Sequence, residues 1–171
     1  VGWRARIDIA SHNQKAWDHQ VLSGNPWTCP VSTVEVSEAR VGRIHMRLAN
    51  HRIVPPSWFP PLEGCRTLCL AAGGGQQAPL LAAAGATVTV LDASENQLAQ
   101  DRKVAEREDL QIATVQGDMR DLSAFADGAF QLIVLPVSNN FVPDPMPIWQ
   151  EIYRVLGLGG VLLAGFATPI A

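Results

Sequence analysis

Residues Cys69–Pro79 read CLAAGGGQQAP, an apolar run that ends in three consecutive glycines. Glycine adopts backbone conformations closed to other residues and lets a ligand approach the main chain. Gly73, Gly75 and Ala78 fit the spacing G-x-G-x-x-A. Between a strand and a helix, that spacing marks a turn that receives a nucleotide. A dinucleotide and other adenosine-containing ligands fit it equally well. Close strand-to-helix packing is the alternative use of the glycines.

The surroundings supply the strand and the helix. RTLCLA (Arg66–Ala71) is an apolar strand, and a helix over Gln77–Ala84 follows, with Pro79 in its first turn and Gly85 at its end. Further on, ATVTVLD (Ala86–Asp92), LQIATVQ (Leu110–Gln116), FQLIVLP (Phe130–Pro136) and VLLAGF (Val161–Phe166) read as four more strands. Helices separate them. One starts at a capping box of Ser94 and Gln97 and runs to about Arg107. Another is capped by Asp144, has Pro145 in its first position, and carries Ile148, Ile152, Val155 and Leu156 on one face. Gly157–Gly160 turn the chain into the last strand. Strands apolar on both faces, alternating with helices, predict an α/β fold with a parallel sheet covered on both sides. Ligands of such sheets bind beyond the carboxyl ends of the strands.

The first 60 residues differ in character. They hold four of the five tryptophans and all four histidines. Ile9–Leu22 predicts a helix, SGNPWT (Ser23–Thr28) stops it, and Ser32 with Glu35 forms a capping box for a short helix ending near Gly42. RIHMRL (Arg43–Leu48) alternates as a strand with one wet face, Arg43, His45 and Arg47 forming a solvated edge rather than an anion site. The proline-rich VPPSWFPP (Val54–Pro61) is a stiff connector. The expected division is a helical cover over residues 1–60 and a ligand-binding domain over 61–171.

Composition narrows the class. The chain has 171 residues, 47% hydrophobic and 17% charged, with net charge −3. That describes a folded domain without the basic field of a nucleic-acid binder. Cys29, Cys65 and Cys69 have no metal-site spacing and predict free thiols in a reducing cytoplasm. VGWRARIDIA places charges where a secretory leader needs an apolar core. The uncharged tail Val155–Ala171 is broken by glycines and reads as turn and buried strand, not as a membrane span.

Two acids extend the site. Asp92 ends the second strand, where a carboxylate accepts hydrogen bonds from ribose hydroxyls. Helix capping is its alternative role. GDMRDL (Gly117–Leu122) follows the third strand, placing Asp118 and the Met119 amide where they suit an adenine edge. A dinucleotide site gives that segment no role.

With these motifs in order, the chain from about Cys65 to Phe166 resembles the class I methyltransferases that use S-adenosyl-L-methionine. LCLAAGGG stands at their first motif, Asp92 at the ribose acid, Asp118 and Met119 at the adenine motif, LPVSNN (Leu135–Asn140) at the strand-four motif, and IYRVLGLGG (Ile152–Gly160) before strand five. The resemblance implies a Rossmann-like three-layer sandwich with strand order 3-2-1-4-5. It implies a cofactor site of Ala71, Ala72, Gly73, Gly75, Gln76, Asp92, Ala93, Gln97, Asp118, Met119, Pro136, Val137 and Ser138. The cofactor would be S-adenosyl-L-methionine and the product S-adenosyl-L-homocysteine. The nearest relatives in character are small-molecule methyltransferases, including quinone-pathway and uncharacterised bacterial ones, and the segment Ser11–Thr28 resembles the cover of some of the latter.

Departures are Cys69 where an acid is common, Ala71 for a glycine, and Leu158 for a proline. The strands numbered six and seven in the family are absent from this sequence. The fifth strand is then an edge, open to a homodimer. His12 and His19 are candidate bases, with surface or capping roles as the alternative. Trp17 and Trp27 are candidates to close over a sulfonium, or core residues. Asn139 and Asn140 are candidates to meet a small-molecule acceptor, or plain loop residues. The alternative functions are an NAD(P)-dependent oxidoreductase and a non-catalytic binder of the same cofactor.

Overall fold

The computed structural model describes residues 8–49 and 52–167. Five parallel strands form one sheet in the order β3-β2-β1-β4-β5: β1 (Arg66–Leu70), β2 (Thr87–Asp92), β3 (Ile112–Gln116), β4 (Phe130–Leu135) and β5 (Leu156–Ala164). β1 lies between β2 and β4, with Leu68 opposite Thr89 on one side and Ile133 on the other. The chain therefore leaves the sheet centre in opposite directions, and a crevice opens above the carboxyl end of β1.

Alternation along each strand sends side chains to two cores. On one face Cys69, Val90, Leu132 and Val134 pack with Leu80 and Leu81 of α3 (Gln77–Ala83) and with Leu98 and Val104 of α4 (Glu95–Glu108). On the other, Leu68, Leu70, Ile133 and Leu135 pack with Ile148, Ile152 and Val155 of α5 (Met146–Val155). Each such aliphatic side chain, buried in full, contributes about 1.5–3 kcal/mol.

The amino-terminal elements are α1 (Ile9–Leu22), none of whose described residues is buried, and α2 (Thr33–Arg40), held by the expected Ser32–Glu35 capping box. α2 and the segment after it share the first of these cores. Val36, Ala39, Met46, Leu48 and Val54 are buried in the same cluster as α3. An ionic group fastens α2 to the end of α4: Thr33 Oγ1 and Arg107 donate to Glu108, and Arg40 lies beside it. Among the described residues no helix is long and apolar enough to cross a membrane.

Four local expectations are corrected. Met46 and Leu48 are buried and His45 and Arg47 exposed, as alternation requires, but the expected strand amounts to a single bridge, Arg47 opposite Ile53. Pro55 and Pro56 follow on the partner side, lack N–H donors, and end the ladder. Leu156 caps α5 and begins β5 at once. Pairing then jumps from Phe130–Leu156 to Leu132–Val161, so Gly157–Gly160 loop out within the strand with Leu158 fully exposed. α5 starts at Met146, with Pro145 as its cap residue and Asp144 accepting the Met146 N–H at 2.9 Å.

The Ser94–Gln97 box is only half formed. Ser94 Oγ accepts the Gln97 N–H at 3.1 Å, but the Ser94 N–H goes to Asp92 Oδ1 at 2.9 Å. Asp92 takes the bond that Gln97 would have made, and the Gln97 side chain is left for another use.

Candidate functional site

β1 ends against the glycine turn, and the turn is held by acids. Ala71 adopts a left-handed conformation, φ 46°, which costs a non-glycine residue about 1–2 kcal/mol. Two contacts fix it there: its N–H donates to the Leu91 carbonyl at 2.7 Å, and its carbonyl accepts from Ser138 Oγ. Gly73 N–H donates to Asp92 Oδ2 at 3.0 Å. Gly74 and Gly75 N–H donate to Asp101 Oδ2 and Oδ1, each at 3.1 Å.

The glycines have different duties. A Cβ on Gly73 would lie 2.7 Å from Gln97 Cβ and 3.1 Å from Asp92 Oδ2, so this residue permits α4 to approach the cavity floor. Gly75, φ 72°, faces inward, where a Cβ would meet the Gln100 carbonyl and Pro30 at 3.0 Å. Expected against the ligand, it is absent from the cavity lining and packs between the cover and α4.

Above the turn lies a cavity of about 580 Å³. Its wall contains Ala71, Ala72, Gly73, Gln76, Asp92, Ala93, Gln97, Asp118, Met119, Pro136, Val137 and Ser138, all members of the cofactor site that the resemblance implies. Trp17 and Trp27 also line it. Gln97 Oε1, buried in this wall, has no hydrogen-bond partner among the described residues. An acceptor so placed fits a ligand that carries N–H or O–H donors.

The cover crosses the cavity as α1. Ile9, Asn13 and Trp17, four residues apart, face it. Asn13 Nδ2 donates to the Phe141 carbonyl at 2.8 Å, and Trp17 meets the Phe141 ring edge-on with centroids 5.5 Å apart. The next residue, Asp18, reaches Ser94 and Asn96 at the start of α4. His12 and His19 lie on the outer side of α1, exposed and absent from the cavity wall. Asn139 and Asn140 are also outside it. Asn139 is buried behind the wall, and Asn140 donates to the Ala167 carbonyl.

The electrostatics are acidic at the floor. Burial pushes the Asp92 carboxyl up, against the amides of Ser94 and Gly73, which favour its charged form. Burial likewise pushes Asp101 up to about 8, against the amides of Gly74 and Gly75. Burial also works on Asp118, but the Arg120 guanidinium, 2.6–3.0 Å away, outweighs it and holds Asp118 below the ordinary range. His45 and Arg47 stand exposed at the mouth, part of the cavity lining rather than only a solvated edge. Among the described residues no group of three or more His, Cys, Asp or Glu could hold a metal ion.

Sequence reasoning missed Asp18, Asp101, Arg120 and Phe141. Asp101 had a signal. It interrupts the apolar face of α4 between Leu98 and Val104, a position where an acid is rare without a buried partner.

A family model described as a methyltransferase domain matches residues 68–164. The chain is 52% identical over 162 residues to the uncharacterized methyltransferase YbaJ of Bacillus subtilis, covering 95% of this chain and 64% of the relative. It is 36% identical over 119 residues to a demethylmenaquinone methyltransferase of Clavibacter sepedonicus, covering 69% of this chain and 48% of that protein. Thus it spans less than two thirds of either relative. Among solved structures, an S-adenosylmethionine dependent methyltransferase from Mesorhizobium loti is similar with TM-score 0.55 at 25% identity, over 62% of this chain and 48% of that one.

Proposed function

The chain belongs to the methyltransferase-domain family, and from that premise we propose that it binds S-adenosyl-L-methionine and transfers its methyl group to a small-molecule acceptor. One observation carries the choice of ligand. The amides of the glycine turn are already satisfied by Asp92 and Asp101. A dinucleotide needs free amides there for its diphosphate. The cavity wall beside the turn instead presents the Asp92 carboxyl group, an acceptor that disfavours a diphosphate.

Asp92 would hold the ribose hydroxyls, Asp118 and Met119 the adenine, and Ala72, Gly73, Gln97 and the Pro136–Ser138 backbone the methionine end. Bound there, the cofactor would supply a methyl group activated on a sulfonium, with S-adenosyl-L-homocysteine as the product. The chain's own contribution is orientation and exclusion of water. Trp17, Trp27 and Phe141 give the cavity an aromatic roof, and aromatic faces suit a sulfonium. Arg120 keeps Asp118 ionised, an acceptor for an exocyclic amine. No base is assigned to His12 or His19, because neither reaches the cavity.

The reading extends to the setting. Three free cysteines, Cys29 exposed, support a reducing cytoplasm. Residues 1–60 act as a cover on a cofactor domain of 61–171, supported by the contacts of α1 across the cavity. Among the described residues the outer edge of β5 has no neighbouring strand, which supports pairing with a second copy.

Calorimetry with S-adenosyl-L-homocysteine and NAD side by side tests the ligand. Binding of the first and not the second is expected, and the reverse defeats the proposal. Transfer of labelled methyl to a panel of small acceptors tests the activity, and cofactor binding with no transfer leaves a binder only.

A further inference from the structure

Asp101 is a fully buried acid that the reaction does not use. It does not line the cavity, and both of its oxygens face the glycine turn from below. Gly74 and Gly75 have positive φ, 111° and 72°, which aims their successive amides into one concavity. Such a concavity is an anion nest. In this protein the anion is supplied from α4.

The strand beneath offers no charge. Cys69, fully buried on β1, has its thiol pushed up by burial and then by the charge of Asp101, so it stays neutral. Asp101 and Gln97, one turn apart on α4, face the turn and the cavity wall respectively, and Ser94 begins the same face. One helix thus sets the height of the turn and of the wall together.

Resting on the cofactor proposed above, we infer that Asp101 is a positioning residue. Its carboxyl group fills the nest, fixes the Ala72–Gly73 backbone toward the ligand and, in its ionised form, places a negative charge behind the bed that favours a sulfonium over a neutral thioether. Charges within a Debye length of each other still interact at a partly buried site.

Asp101→Asn keeps the shape and removes the charge. Calorimetry with S-adenosyl-L-methionine and S-adenosyl-L-homocysteine is run on wild type and variant at pH 9, where Asp101 is ionised, with hydrogen exchange at the Gly74 and Gly75 amides. The expected result is about a tenfold loss for the sulfonium, a loss of about threefold or less for the thioether, and faster exchange at Gly75, the Gly74 N–H being held also by the Gln97 carbonyl at 3.0 Å. A folded variant that binds both ligands as the wild type does, or loses both equally, overturns the inference. If Asp101→Asn does not fold, Asp101→Glu keeps the charge on a longer arm. The preference for the sulfonium is then retained, and its loss overturns the inference. A folded wild type that binds neither ligand defeats the cofactor reading itself. Amide exchange in the variant still decides whether Asp101 supports the turn.

Discussion

The Asp18 carboxylate of α1 accepts the Ser94 hydroxyl at 2.6 Å and the Asn96 N–H at 3.2 Å, so the cover helix caps the helix beneath the cavity. Asn96 Nδ2 donates back to the Asp18 carbonyl at 3.3 Å. Asp18→Ala removes a helix cap, which costs about 1 kcal/mol. The larger expected effect is kinetic. Release of S-adenosyl-L-homocysteine, followed by stopped flow, accelerates several-fold, while Gln14→Ala on the same helix leaves it unchanged. An unaltered release rate in Asp18→Ala would show that α1 does not restrain the ligand.

Gly73→Ala places a methyl group 2.7 Å from Gln97 Cβ and 3.2 Å from the Gln97 carbonyl carbon. The contacts include backbone, so α4 must shift. Overpacking of this kind costs about 1–3 kcal/mol. Urea unfolding should report that loss, with cofactor affinity falling at least tenfold in whatever fraction folds. Wild-type stability in this variant would refute the close approach.

Ala71 holds a left-handed conformation without being glycine. Ala71→Gly relieves the local penalty and adds unfolded-state entropy, two effects of similar size. The expected change is between zero and about 1 kcal/mol of stabilisation. Ala71→Val, with a branched side chain at the same φ, loses about 2 kcal/mol or more. If the order of the two melting temperatures is reversed, the assigned conformation is wrong.

The Asp101 carboxyl titrates at about 8 in the folded chain and near 3.8 in the unfolded one. Its folded value is raised, so its contribution is complete below 3.8 and is lost as the pH rises through 8. The charged groups acting on it are Asp92, which raises it further, and Arg102, which lowers it; Cys69 beside it stays neutral. Asp92 is also raised and acts in the same direction. Asp118, Asp121, Glu38, Glu108 and Glu151 are held low, so their effects fall on the acid side of the carboxylate range. Urea midpoints should therefore decline from pH 5 to pH 8, and Asp101→Asn should flatten the decline. An equal slope in the variant would assign the dependence to another group.

Much of this fold was legible because its signals are local. Ser32 and Glu35 carry their capping box within one turn, and the apolar runs from Arg66 to Ala71 and from Phe130 to Pro136 have no other good use than a buried strand. What escaped depends on partners far along the chain. The ladder at Arg43–Leu48 is stopped by Pro55, across a turn. Gly73 and Gly75 look alike in sequence, yet α4 and Pro30 decide that one meets the cavity and the other the core. Asp92 was read as a ribose ligand or a helix cap; in the structure one of its oxygens accepts from the Ser94 N–H and the other from the Gly73 N–H. With the Ser94 N–H so taken, Gln97 Oε1 has no hydrogen-bond partner among the described residues, which no local pattern announces.

α1 is fastened at two points, to α4 through Asp18 and to the segment after β4 through Asn13 and Trp17. Both points belong to elements that line the cavity. On the proposed reading, substrate and spent cofactor share the adenosine and amino-acid portions that these elements meet. The clasp that retains one then retains the other. On that reading product inhibition would follow from the architecture, and turnover would be set by how often the bar lifts rather than by how fast the methyl group moves.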